Sequence, residues 1–138
     1  MKSQRFGIEI EMTGLTRRSA ALIIAKHFDT GFRHERGVYD TYSVCDQDGR
    51  KWKIVRDASI TPQCGNRFDY DPDYKVEVVS PICHYEDIET IQSIVRELRR
   101  NGHAKVNESC GIHIHVDASK HTARSLRNIA NIMYSKED

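Results

Sequence analysis

Long apolar runs are missing from this sequence. No stretch approaches the ~18 apolar residues that a membrane-spanning helix needs. The opening MKSQRFGIEIEM meets acidic residues before any apolar signal-peptide core can form. The expectation is a cytoplasmic protein with no membrane partner. Proline is scarce, at three residues, and glycine modest, at eight, so neither a collagen-like nor a low-complexity tract is present. A charge excess of one sign is missing too: 21 basic and 20 acidic residues leave a net +1. The short basic cluster Arg96, Arg99 and Arg100 sits among acids in a helical pattern. A nucleic-acid binder shows a basic stripe, and none is evident, so no nucleic-acid partner is expected. Cys45, Cys64, Cys83 and Cys110 form no CxxC pair, which argues against a structural zinc. They read as unpaired, largely buried thiols. Phosphate loops of the GxxxxGK or GxGxxG type are absent, as are the GxSxG elbow and the HExxH helix.

What remains is an ordinary globular composition, 38% hydrophobic and 30% charged over 138 residues. That is the length of one domain, residues 1–138. Arg5 to Met12 alternates as a strand, with Phe6, Ile8, Ile10 and Met12 on one face and Gly7, Glu9 and Glu11 on the other. Gly14 breaks it. Thr16 fits the N-cap of a helix running to about Phe28, with Ala21, Ile24, Ala25 and Phe28 as its apolar stripe. The polar stretch Thr30 to Arg36 reads as a loop. Val38 to Asp46 and Lys51 to Asp57 read as strands joined through Gln47-Asp48-Gly49-Arg50, where Asp-Gly is a strong hairpin signal. Residues 61 to 74 are rich in Pro, Gly, Asn and Asp and read as a flap or crossover. A strand follows over Lys75 to Ser80, then a helix over Glu86 to Asn101 with Gly102 at its stop. Gly111 to Asp117 makes a further strand, and Leu126, Ile129, Ile132 and Met133 mark a last helix. The order β-α-β-β-β-α-β-α predicts an α+β domain with a mainly antiparallel sheet and helices on one face.

Three of these strands share one design. Each has an aliphatic face and an opposite face of metal-capable side chains: Glu9 and Glu11 in the first, Glu77 in another, His113 and His115 in a third. On any single strand such alternation also describes a solvated face. The conjunction argues for more, because a generic solvated face would mix in more Lys, Arg and Thr. An oxygen-dominated set with one or two imidazoles suits Mg²⁺ or Mn²⁺ better than tetrahedral zinc. A zinc hydrolase built on the His113–His115 pair would need only three protein ligands and an open position, and the surplus of carboxylates argues against it. Without a cation, Glu9, Glu11 and Glu77 would repel one another and their pKa values would rise.

The segments FGIEIEM, WKIVRDASI, VEVVSPI and SCGIHIHVDAS resemble, in order, the successive motifs of the amidoligase family, carboxylate-amine ligases of the glutamine synthetase and glutamate–cysteine ligase superfamily. The resemblance spans roughly residues 5 to 134. It implies a curved, mainly antiparallel sheet whose concave face binds ATP and two or three divalent ions, Mg²⁺ or Mn²⁺, with helices on the convex side. It implies phosphoryl transfer from ATP to a substrate carboxylate, then attack by an amine. The partners would be an amino acid, a peptide or a protein side chain. By resemblance Glu9, Glu11, Asp57, Glu77 and His113 are metal ligands, and His115 is a catalytic residue nearer the nucleotide phosphates. Trp52 and Ser59 share the motif of Asp57 and are expected to shape the nucleotide pocket. The family pattern continues past the last helix into strands with another glutamate ligand and a phosphate-binding arginine. The expectation is therefore the N-terminal part of a larger catalytic domain. A non-catalytic metal- or nucleotide-binding module is the alternative. Superfamily relatives include monomers and large rings, so a homo-oligomer stays open.

Overall fold

A computed structural model describes residues 4–65 and 67–136. Asn66 of the 61–74 tract, and residues 1–3 and 137–138 of the span expected as one domain, lie outside the described residues.

The first strand is β1 (Phe6–Met12), and Gly14 ends it with a φ of +85°. A Cβ at Gly14 would stand 2.7 Å from the His103 carbonyl oxygen, so both the turn and the close approach require glycine. Thr16 caps α1 (Arg17–His27), its side chain accepting from the Ser19 N–H. Strands β2 (Phe32–Arg36), β3 (Thr41–Cys45) and β4 (Lys51–Val55) then form an antiparallel meander. The turn between β3 and β4 is organised by the buried Asp46 carboxylate, which accepts from the backbone N–H groups of Asp48 and Arg50 and from the Trp52 indole. Two short strands, β5 (Gln63–Cys64) and β6 (Arg67–Phe68), make a separate hairpin, followed by a 3-10 turn at Pro72–Tyr74. β7 (Val76–Val79), α2 (Ile88–Asn101), β8 (Ile112–Val116) and α3 (Ala123–Tyr134) complete the chain.

Six strands form one sheet in the order β2-β3-β4-β7-β1-β8, with every neighbouring pair antiparallel. The α+β class and the antiparallel sheet agree with the sequence pattern. The sheet is not strongly curled, which falls short of the curvature the resemblance implies. The stretch Thr30 to Arg36, expected as a loop, contains β2. That strand is the first in the order, and four of its five residues (Arg33 to Arg36) are exposed, so it carries no apolar alternation to betray it.

The aliphatic face of the sheet is covered by α1 and α2. Ala20, Ala21, Ile24 and Ala25 of α1 and Ile91, Ile94 and Leu98 of α2 pack in one cluster with Val44, Trp52, Ile54, Val76 and Val78. α3 departs from the expectation of helices packed on that face: its stripe of Leu126, Ile129, Ile132 and Met133 is exposed. The thiols depart as well. All four are unpaired, but Cys83 is buried whereas Cys45 and Cys64 are exposed and Cys110 lies between. A knot at Arg17, only 2% exposed, ties α1 to the rest. Its guanidinium reaches the Asp40 and Asp73 carboxylates at 2.6 and 2.8 Å and donates to the carbonyls of Pro72 and Lys75. No helix among the described residues is long and apolar enough to cross a membrane.

Candidate metal centre

The face of the sheet away from α1 and α2 is ordered in three rows set by strand register. Lys53, Val79, Glu9 and His113 stand side by side across β4, β7, β1 and β8. The next row holds Val55, Glu77 and Glu11, with Gly111 beside Glu11 through a backbone hydrogen bond of 3.1 Å. On the other side of the first row, Gly7 pairs with His115. Period-two alternation puts all these side chains on one surface, while the intervening apolar residues of β1, β4 and β7 turn to the core under the helices.

Register alone brings three strands' worth of ligands together, and a loop adds a fourth. Glu9, Glu77 and His113 offer one ligand atom each within 4.8 Å of one another, and so do Glu11, Asp57 and Glu77. Two ligand atoms about 2.1 Å from one ion are at most about 4.2 Å apart, so small rotations close either group around a cation. Glu77 belongs to both. The donors are carboxylate oxygens with one imidazole, which fits Mg²⁺ or Mn²⁺.

Glu11, Asp57 and Glu9 are each held by a named partner. Glu11 is 4% exposed, and its Oε2 accepts the Gly111 N–H at 2.6 Å. Asp57, just past β4, accepts the Ser59 backbone N–H and hydroxyl on Oδ1, both at 2.6 Å. Those two bonds hold its carboxyl below the usual range. Ser59 thereby orients a ligand, a contact the motif reading left unspecified. Glu9 lies between the two imidazoles, 3.3 Å from His113 Nδ1 and 3.2 Å from His115 Nε2. Trp52 sits elsewhere: it is 2% exposed, on the helix-covered face, with its ring 5.7 Å from that of Phe28. It supports β4 from beneath and does not line this surface. Sequence reasoning also missed the Gly111 amide as a donor to Glu11. A glycine two residues before His113 was the available signal, but its hydrogen-bond partner depends on a register between strands 100 residues apart.

Glu77 carries the electrostatic cost of the arrangement. Burial first, then the negative charges of Glu9, Asp57 and Glu11, push its carboxyl from the ordinary 4.5 up to about 7, with His113 opposing. The metal-free folded chain therefore holds a proton on Glu77 at pH values where the unfolded chain has released it. The contribution of Glu77 to stability therefore falls as pH rises from about 4.5 to about 7, because at this residue the native state binds more protons in that window. In urea unfolding with chelator present, wild type should lose more stability between pH 5 and pH 8 than Glu77→Gln. Equal losses would remove Glu77 as the source. Adding Mn²⁺ should reverse the trend, since an ion prefers the ionised carboxylate.

Beside the first row a cavity of about 460 Å³ opens at the ends of β1, β7 and β8. Gly7, Glu9, Val79, Pro81, Ile82 and His115 are among its walls. Its edge is closed by Arg5 and Asp117, 2.7 Å apart. A polar end at Glu9 and His115 thus continues into an apolar hollow.

Comparison with known proteins adds one finding. A family model described as "putative amidoligase enzyme" matches residues 2–138, which suggests a ligase-type enzyme. No curated protein and no solved structure matches the chain significantly.

Proposed function

Because the chain belongs to the amidoligase family, we propose that it is an ATP- and Mg²⁺-dependent carboxylate-amine ligase that forms an amide or isopeptide bond through an acyl phosphate. The observation that carries this reading is the pair of ligand groups joined through Glu77. The adjoining cavity supports it, having an apolar hollow for a nucleoside and a polar end toward the ligands.

Glu9, Glu77 and His113 would hold one divalent ion and Glu11, Asp57 and Glu77 another, and such ions neutralise charge on a transferring phosphoryl group. In the first step a substrate carboxylate oxygen attacks the γ-phosphorus while the bond to the β–γ bridging oxygen breaks, releasing ADP. In the second an amine nitrogen attacks the acyl carbon, phosphate leaves with its bonding pair, and the amine loses a proton to solvent or a base. His115 lines the cavity and stands 3.2 Å from Glu9, where it would position the phosphates. Shielding the acyl phosphate from water needs a cover. We assign that role to the 61–74 tract, which is anchored near both ends. Gln63 is tied to Thr13 and Gly14, and Pro72 and Asp73 are tied to Arg17. Between these anchors Phe68 and Tyr70 are exposed.

The test is ADP release with Mg·ATP and panels of carboxylates and amines. Release that requires both partners is the expected result. A chain that binds Mn²⁺ but has no nucleotide affinity and no coupled release would overturn the reading in favour of a metal-binding module.

A further inference from the structure

The first row contains a cation that the metal ligands do not explain. Lys53 lies on β4 directly beside Val79, which in turn lies beside Glu9. All three side chains share one face, since residues paired in register point the same way. Two strand spacings separate Lys53 from Glu9, about 10 Å at about 4.8 Å each, and the flexible four-carbon stem of lysine spans much of that gap. Val79 is the apolar floor between them.

Three nearby cations are engaged. Lys51 is bound to Glu35 at 3.0 Å, Lys75 donates to the Ala58 carbonyl at 2.7 Å, and Arg5 is held by Asp117. Lys53 is exposed, and among the described residues no hydrogen bond or ion pair holds it. Glu35 feels its charge, but the hydrogen bonds Glu35 accepts, both on Oε1, come from Lys51 and Ser43. Glu77 is diagonal to Lys53 across β4 and β7, a separation of about 7–8 Å that a long side chain can bridge, yet no such pair forms. The ammonium therefore stands ready beside a surface whose other charges bind cations.

We infer that Lys53 is a phosphate-binding residue of this site: its ammonium takes a non-bridging oxygen of a polyphosphate laid over Val79 between the nucleotide cavity and the ligands of the metal centre. The inference rests on the ATP-dependent reading and deepens it. With no phosphate-binding loop in the sequence, phosphate recognition would otherwise fall to metal ions alone. Lysine suits this role as a mobile point charge with three donors, which needs no fixed bidentate geometry.

Calorimetric titration of the full chain with Mn²⁺, and then with inorganic tripolyphosphate in saturating Mn²⁺, tests it. Lys53→Met should weaken tripolyphosphate about tenfold, the loss of one charge-assisted hydrogen bond, and flatten the salt dependence of its binding. The same variant should bind Mn²⁺ alone as tightly as wild type or slightly tighter, because a nearby cation has gone. Lys53→Arg should restore tripolyphosphate binding. A purely structural lysine would not move the two affinities apart. Wild-type tripolyphosphate affinity in Lys53→Met overturns the inference while leaving the ligase reading intact. Failure of wild type to bind tripolyphosphate or ATP at all overturns both.

Discussion

Glu77→Gln should strip both divalent ions from the chain at once. Glu77 contributes a ligand atom to each of the two groups, whereas every other ligand contributes to one. Calorimetry with Mn²⁺ should show the wild-type isotherm replaced by binding at least ~100-fold weaker, beyond what loss of a supporting partner costs a metal site. Asp57→Asn and His113→Gln should instead each abolish one ion and leave the other. The shared ligand also sets the pH response. Below about 7 an incoming ion must displace the Glu77 proton, so affinity should climb with pH to that point and then level off. Retention of one tight ion by Glu77→Gln would show that the two groups do not share it, and with that the two-ion centre would have to be abandoned. Because glutamine keeps the size of the side chain and removes a repelled charge, the variant should fold at least as stably as the metal-free wild type.

Trp52→Ala is expected to cost about 3–5 kcal/mol of folding stability, a large part of the roughly 5–15 kcal/mol that typically separates folded from unfolded chains. The indole is 2% exposed, packs against Phe28 and donates to the buried Asp46 carboxylate at 3.3 Å. Its removal leaves a cavity under β4 and an acceptor with one bond fewer. Urea unfolding measures the loss. Trp52→Phe separates core from ligand contact, for it keeps most of the volume and should leave Mn²⁺ and ATP affinity at wild-type levels with a smaller stability loss. A phenylalanine variant that folds normally but loses ATP would return Trp52 to the nucleotide site.

These two residues mark how far the sequence could be read. Glu9, Glu11, Glu77 and His113 were legible because strands alternate with period two, and each sits in a run whose other face is plainly aliphatic. Their convergence was not legible, since it depends on β7, β1 and β8 being neighbours in that order, which alternation cannot supply. Trp52 has the opposite history. It lies close in sequence to Asp57, but Asp57 follows the strand in a turn held by Ser59, while Trp52 points with Ile54 toward the helices. Proximity along the chain groups a strand residue that the pleat turns to the core with a turn residue that stands beside Glu11 and Glu77. β2 escaped detection for a different reason. Phe-Arg-His-Glu-Arg has almost no apolar face to show, and its pairing with β3 is held instead by the backbone ladder and by the His34 ring stacked 4.2 Å from Tyr42. Lys53 gives no signal in the sequence, because an exposed lysine on a strand is commonplace until its row partners are known.

β8 is the last strand in the sheet order, and the aliphatic side of it is poorly covered: Ile112 and Ile114 are each 63% exposed and Val116 53%. A strand at the margin with so little buried surface has a low free energy of local opening compared with the strands under α1 and α2. His113 rides on that strand, while Glu9 and Glu77 belong to the interior of the sheet. An ion shared by the three would fasten the margin to the centre, and part of its binding free energy would go into holding β8 in place. Loss of the ion and fraying of β8 would then be two views of one equilibrium, so amide exchange along residues 112–116 would count the occupancy of the metal site.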